Sequence, residues 1–180
     1  NIMLDVVIAL IPASVAGIYF FGLKALWIIL TCVASALAAE FIFNLCVRKK
    51  QTVGDLSAVV TGLLLALNLS TNVPLWQCVV GSVFAIVVVK CLFGGLGKNI
   101  VNPAIAARVF MLLTFASTVG NGVIEVVRPE LVASATPLAT LNGGAEASES
   151  VSLLQLFLGN HGGTIGETCA IALLIGFVYL

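Results

Sequence analysis

Long apolar runs, separated by short polar stretches, set the pattern of this chain. A transmembrane helix needs about 20 predominantly apolar residues. Six runs reach or approach that length, over residues 2–21, 25–47, 56–69, 73–93, 104–119 and from 165 to the last residue, 180. Pro12 is expected to kink the first, since a proline inside a helix removes one backbone donor and crowds the preceding turn. The third and fifth runs are short and flanked by Gly, Asn and Pro. Broken helices of this kind line binding sites in membrane proteins, because their freed backbone groups need partners. Tilt and burial among neighbouring helices would explain them equally well. The pattern predicts an all-α, polytopic membrane protein. It divides into a five-helix membrane region over 1–119, a polar loop over 120–163, and the start of a sixth helix over 164–180.

Composition agrees. Hydrophobic residues make up 61% and charged residues 9%, against about 45–50% and 25% in a soluble domain. Lipid is therefore an expected partner. Eight basic and eight acidic residues cancel, which leaves no basic patch for nucleic acid. The five cysteines (32, 46, 78, 91 and 169) are scattered singly. No Cys or His cluster with metal-ligand spacing occurs, and packing against neighbouring helices is the simplest role for these thiols. The chain opens in an apolar run with no basic segment before it and stops inside another. It is expected to be part of a longer membrane protein.

The distribution of basic residues orients the spans. Arg48, Lys49, Lys50, Lys90, Lys98 and Arg108 fall on one side of an alternating topology, and Lys24 and Arg128 on the other. Loops 48–55 and 94–103 are thereby expected in the cytoplasm, and loop 120–163 outside. Within that outer loop, 142–150 is polar and expected to be a mobile tip.

Several residues invite chemistry. Glu40 and Arg108 lie inside apolar runs, where a charge costs about 2.5–3.5 kcal/mol on insertion scales and normally has a partner or a wet cavity. Similar depth suggests a Glu40–Arg108 ion pair; lining an ion path or a flavin pocket is the alternative. Asp5 can cap the first helix or face a neighbouring protein chain. Gly94, Gly95 and Gly97 lack P-loop spacing and suit a tight turn. Asn102-Pro103 reads as an N-cap followed by Pro at the first helical position. Thr164 and Glu167 have capping-box spacing at the entry to the sixth run. His161, the only histidine, is expected to be solvated or a weak pH-sensitive contact.

The outer loop contains Ala133-Ser134-Ala135-Thr136-Pro137-Leu138. Thr before Pro is a helix start, with the hydroxyl as cap. A helix N-terminus also stabilises an anion, so a cap and a phosphoester at Thr136 are compatible. The stretch resembles the flavin-attachment motif of the membrane subunits of the Rnf and Nqr respiratory complexes. The usual motif has Ser or Thr three residues before the modified Thr, Gly two before and an acid about six before. Ala133, Ser134 and Glu130 stand there in this chain, and the Ala135-Thr136 pair is intact.

The resemblance extends along the chain. Thr61-Gly62-Leu63-Leu64-Leu65-Ala66-Leu67 is similar to a third-span signature of the family. Gly94-Gly95-Leu96-Gly97-Lys98-Asn99-Ile100-Val101-Asn102-Pro103-Ala104 is similar to its inner Gly-rich loop. Gly159-Asn160-His161-Gly162-Gly163-Thr164-Ile165-Gly166-Glu167-Thr168 is similar to its entry into the sixth span. The likeness is closest to the RnfD family of ion-translocating electron-transport complexes. The NqrB family of the Na+-pumping NADH:quinone reductase is the homologous alternative. The resemblance implies a helical bundle of inverted repeats similar to urea transporters, of which this chain would cover one repeat and one further helix. It also implies FMN esterified through its phosphate to Thr136, beside Ser134 and Ala135, which makes the chain a flavoprotein and phosphoprotein. A flavin transferase acting on the outer face would attach it. A second, noncovalent flavin is compatible with the resemblance, and so is a flavin contact from Asn160 or Thr164. The implied setting is a bacterial plasma (inner) membrane. There the subunit of an oxidoreductase translocase would carry electrons between ferredoxin and NAD(H), coupled to Na+ or H+ movement. A cofactor-free channel or secondary transporter is the reading from another class.

Overall fold

The computed structural model describes residues 2–48, 51–120, 164–166 and 169–180. All regular structure among them is helical. Helix α1 spans Ile2–Phe21 and continues through Pro12. Gly22, with φ of 71°, turns the chain into α2, Leu23–Cys46. These two are long and apolar enough to cross a membrane. A 3-10 turn, Val53–Asp55, leads to α3, Ser57–Leu67. The residue before α3 is Leu56, held left-handed at φ 59°, a conformation that costs a side-chain-bearing residue about 1–2 kcal/mol.

Helix α4, Leu75–Val83, passes into a π-helical segment, Phe84–Cys91. Gly94, Gly95 and Gly97 then turn the chain with φ of 112°, 94° and 80°, the conformations expected of a glycine turn. Helix α5, Pro103–Thr114, starts as its sequence predicts: the Asn102 side chain accepts the Ala104 N–H at 2.9 Å, with Pro103 at the first position. Another π segment, Ala116–Gly120, follows. Helix α6 is Ala170–Tyr179, and its N-cap is Cys169, without a side-chain cap bond. The capping box expected at Thr164 is therefore not at the start of this helix. Glu167 lies outside the described residues.

Packing explains why the helices meet where they do. Their buried faces are made largely of small residues such as Ala25, Cys32, Ala36, Ala58, Ala66, Cys78, Ala85 and Ala107. Small residues let helix backbones approach closely, which is what drives association where lipid is as apolar as leucine. On α3, a side chain at Gly62 would meet the Cys32 carbonyl on α2 at 2.8 Å. On α6, Gly176 packs directly on the Ala9 carbonyl of α1. Larger apolar residues, among them Tyr19, Trp27, Leu113 and Val178, are exposed, as suits a surface in contact with lipid or other membrane helices.

Candidate functional site

Thr136, Ser134 and Ala135, like Asn160 and His161, lie outside the described residues. The helical framework does place the intramembrane charges.

Glu40 sits on α2 and is 1% exposed; Lys90 sits in the π segment after α4 and is 2% exposed. The Lys90 Nζ lies 2.8 Å from Glu40 Oε1. It also donates to the Ser57 Oγ, at the first residue of α3, at 2.7 Å. Thr52 Oγ1 donates to the same Glu40 oxygen at 2.7 Å and accepts from Asn44 Nδ2 at 3.0 Å. The other carboxylate oxygen, Oε2, is buried and has no hydrogen-bond partner among the described residues. Beside this network is a cavity of about 60 Å3, lined by Glu40, Asn44, Thr52, Cys91 and the glycines Gly94 and Gly95, with Phe43. A cavity needs only about 10–15 Å3 to hold a water, so this one accepts a water or a partly hydrated small ion.

The Glu40–Arg108 pair expected from depth does not form, because Lys90 is the partner of Glu40. Arg108, on α5, instead donates from its guanidinium to the Asn68 carbonyl, just past the end of α3. The physical reason is the shortness of α3. Its 11 residues rise about 16 Å, roughly half of a hydrocarbon core. Its last carbonyls have no intrahelical donors, and in lipid they must be satisfied by protein. Gly166 N–H reaches the Leu67 carbonyl at 2.8 Å and Ile165 N–H the Leu69 carbonyl at 3.1 Å. Arg108 takes the carbonyl between them, and residues 165–166 are therefore bonded to this break instead of opening α6. Just beyond, the hydroxyls of Ser70 and Thr71 are buried with no hydrogen-bond partner among the described residues.

The remaining polar groups are structural. Thr118 Oγ1 donates to Gln77 Oε1 at 2.7 Å and ties the second π segment to α4. Cys32 and Cys78 are free and buried, and their thiols contact one another between α2 and α4.

Lys90 is the residue that sequence reasoning missed. Counting basic residues assigns it to the cytoplasmic end of the fourth run, yet it lies three residues inside the 73–93 run. Arg108 lies four residues from the cytoplasmic end of its run and Lys90 three, against seven for Glu40, so depth alone does not decide between the two bases.

The model of the NQR2, RnfD, RnfE family matches residues 1–180, the whole chain. The chain belongs to that family. It is 48% identical over 182 residues to the D-type subunit of a Na+-translocating ferredoxin:NAD+ oxidoreductase complex of Acetobacterium woodii. It is 35% identical over 188 residues to the D-type subunit of a proton-translocating ferredoxin:NAD+ oxidoreductase complex of Clostridium ljungdahlii. Both alignments take in all of this chain and 57% of the relative, so the chain spans a little over half the length of these relatives. The B-type subunit of a Na+-translocating NADH-quinone reductase of Azotobacter vinelandii is 42% identical over 120 residues, 65% of this chain and 30% of that protein. Family membership and the apolar helices together make this a membrane protein.

Proposed function

We propose that the chain is the flavin-bearing membrane subunit of an Rnf-type complex. In that role it passes electrons between redox centres while ferredoxin and NAD+ exchange them, coupled to Na+ or H+ translocation. The observation that carries this reading is a match over the whole chain to a D-type relative, together with the Ala135-Thr136 pair in the loop that the family uses for flavin. Thr136 is the attachment residue, with FMN esterified to its hydroxyl through the phosphate; Ser134 and Ala135 keep the approach open. The flavin supplies the electron chemistry, and the protein supplies its position and environment. The partners are the other membrane and peripheral subunits, the flavin transferase and lipid. The membrane is the bacterial inner membrane, crossed several times with the Thr136 loop outside.

Glu40 belongs to the ion path in this reading. It is a buried carboxylate near the expected cytoplasmic end of α2, with one oxygen unbonded beside a cavity. An intramembrane acid in that setting suits a cation route. Arg108 serves the broken end of α3 rather than the path. The NqrB-type alternative has behind it 42% identity to the quinone-reductase protein over 65% of the chain, less than the 48% over all of it for the RnfD-type relative.

The test is in-gel flavin fluorescence. The full-length protein and Thr136→Ala are produced in a host that carries the flavin transferase, then run on a denaturing gel. A fluorescent wild-type band and a dark mutant band are expected. A dark wild-type band, with the transferase active on another substrate, would leave Thr136 as a helix cap and favour a cofactor-free transporter.

A further inference from the structure

We infer that Lys90 is a tethered cation that occupies Glu40 in this state of the protein and gives way when a diffusible monovalent cation binds there. This rests on the reading of Glu40 as part of the ion path.

Charge balance carries the argument. Glu40 and Lys90 are 1% and 2% exposed, so neither charge is neutralised by water. The carboxylate holds one negative charge, and Lys90 at 2.8 Å supplies one positive charge. A second cation arriving while Lys90 stayed in place would leave a net buried charge, which is strongly disfavoured. Exchange keeps the site neutral, and it favours a monovalent ion over a divalent one.

The geometry leaves room for that exchange. Lys90 and Thr52 both crowd onto Oε1, while Oε2 is unbonded and Glu40 lines the cavity. The oxygen donors around that space are the Glu40 carboxylate, the Thr52 hydroxyl, and the Asn44 amide and glycine backbone of the lining. Oxygen ligands of this kind suit a hard cation, and the single charge of Glu40 matches a monovalent one.

The anchor of Lys90 is also of an unusual kind. Lys90 is the penultimate residue of a π-helical segment, and its carbonyl accepts the N–H of Gly95 at 3.0 Å. Gly94 and Gly95, at φ 112° and 94°, adjoin it. π segments of this sort recur at functional sites. The lysine side chain is long and flexible, with three donors on a compact charge; exchange requires it to leave both Glu40 and the buried Ser57, to which it now donates at 2.7 Å, and to carry its charge out of the site.

A static ion pair that merely joins α2 to the π segment after α4 predicts something different, and the assembled complex distinguishes the two. Wild type, Lys90→Met, and the double variant Glu40→Gln with Lys90→Met are purified as complexes. Their thermal unfolding is followed in NaCl and in choline chloride at equal ionic strength. The in-gel flavin band is recorded for each. Lys90→Met leaves Glu40 without its cation, so Na+ should raise its unfolding temperature by several degrees over choline. The double variant should show no such Na+-specific shift, and wild type a smaller one, because there Na+ must first displace Lys90. The inference is overturned if Lys90→Met unfolds at the same temperature in both salts, whether or not the double variant restores stability; restoration would mark a structural pair. It is also overturned if Lys90→Met cannot be assembled at any Na+ concentration while the double variant can. Loss of the flavin band from wild type would sink the flavin reading instead, and the salt comparison does not depend on that band.

Discussion

Glu40 is held by more than its counter-ion. Thr52 donates to the same oxygen as Lys90, and Asn44 orients Thr52 in turn. Hydrogen bonds to a charged group are worth about 1.5–3 kcal/mol. Thr52→Val removes the donor and keeps the shape, so it should destabilise the detergent-solubilised protein by about that amount. Thr52→Ser should restore most of the loss, and thermal unfolding of the two variants side by side checks both. The same network shows how far a sequence reaches at this scale. An acid inside an apolar run is conspicuous, and Glu40 stands out for that reason. The partner is chosen by how helices rotate about their axes, which periodicity constrains weakly when a helix is apolar all round. The π segment adds to the difficulty, since it shifts the face that Lys90 presents relative to a regular helix. Arg108 at similar depth is equivalent by sequence until the rotation of each helix is known.

Helix α3 owes its behaviour to its length. A helix that ends about 16 Å into the membrane needs donors brought to it, and it receives them from α5 and from the segment before α6. Arg108→Met removes the donor to the carbonyl of the exposed Asn68 and should cost about 0.5–1.5 kcal/mol, read as a lower midpoint of thermal unfolding. The other end of the argument is Gly62. Its added Cβ would meet the Cys32 carbonyl at 2.8 Å and the Val33 Cα at 3.0 Å, both backbone, so neither can rotate away. Gly62→Ala is expected to push α2 and α3 apart at about 1–3 kcal/mol, the usual cost of overpacking. Gly54→Ala, where nothing lies within 4 Å, is the control and should be close to neutral in the same unfolding assay. The short third run and its polar flanks are legible in the sequence, and so is the N-cap of α5 at Asn102. The start of α6 is not. Thr164 and Glu167 have the spacing of a cap, but the demand of the α3 carbonyls for donors is a long-range effect that no local motif carries.

Across the whole molecule, the large apolar residues are disposed as they would be in a protein that meets lipid. Leu113 and Val178 are 81% and 82% exposed while Ala25, Ala36 and Ala107 are 0%. Small residues share the interior with a few large ones such as Ile28, Leu65 and Met111, while many large apolar side chains face outward, and the apolar-rich composition anticipates that much. The contacts made by each exposed face belong to partners and lipid that the chain itself does not encode. Orientation, however, can be argued from the chain. Arg48 follows α2 and Lys98 precedes α5, on the side where basic residues accumulate, and such loops stay in the cytoplasm. On that argument the loop holding Thr136 is proposed to lie on the opposite face, where the proposed flavin transferase would reach it. Single-cysteine reporters decide this in intact cells. With all five native cysteines replaced by Ala, Ser148→Cys should react with a membrane-impermeant maleimide added from outside. Lys98→Cys should react only after the cells are permeabilised. The reverse pattern would put Thr136 in the cytoplasm, out of reach of an external transferase, and would remove the physical basis for flavin at that residue.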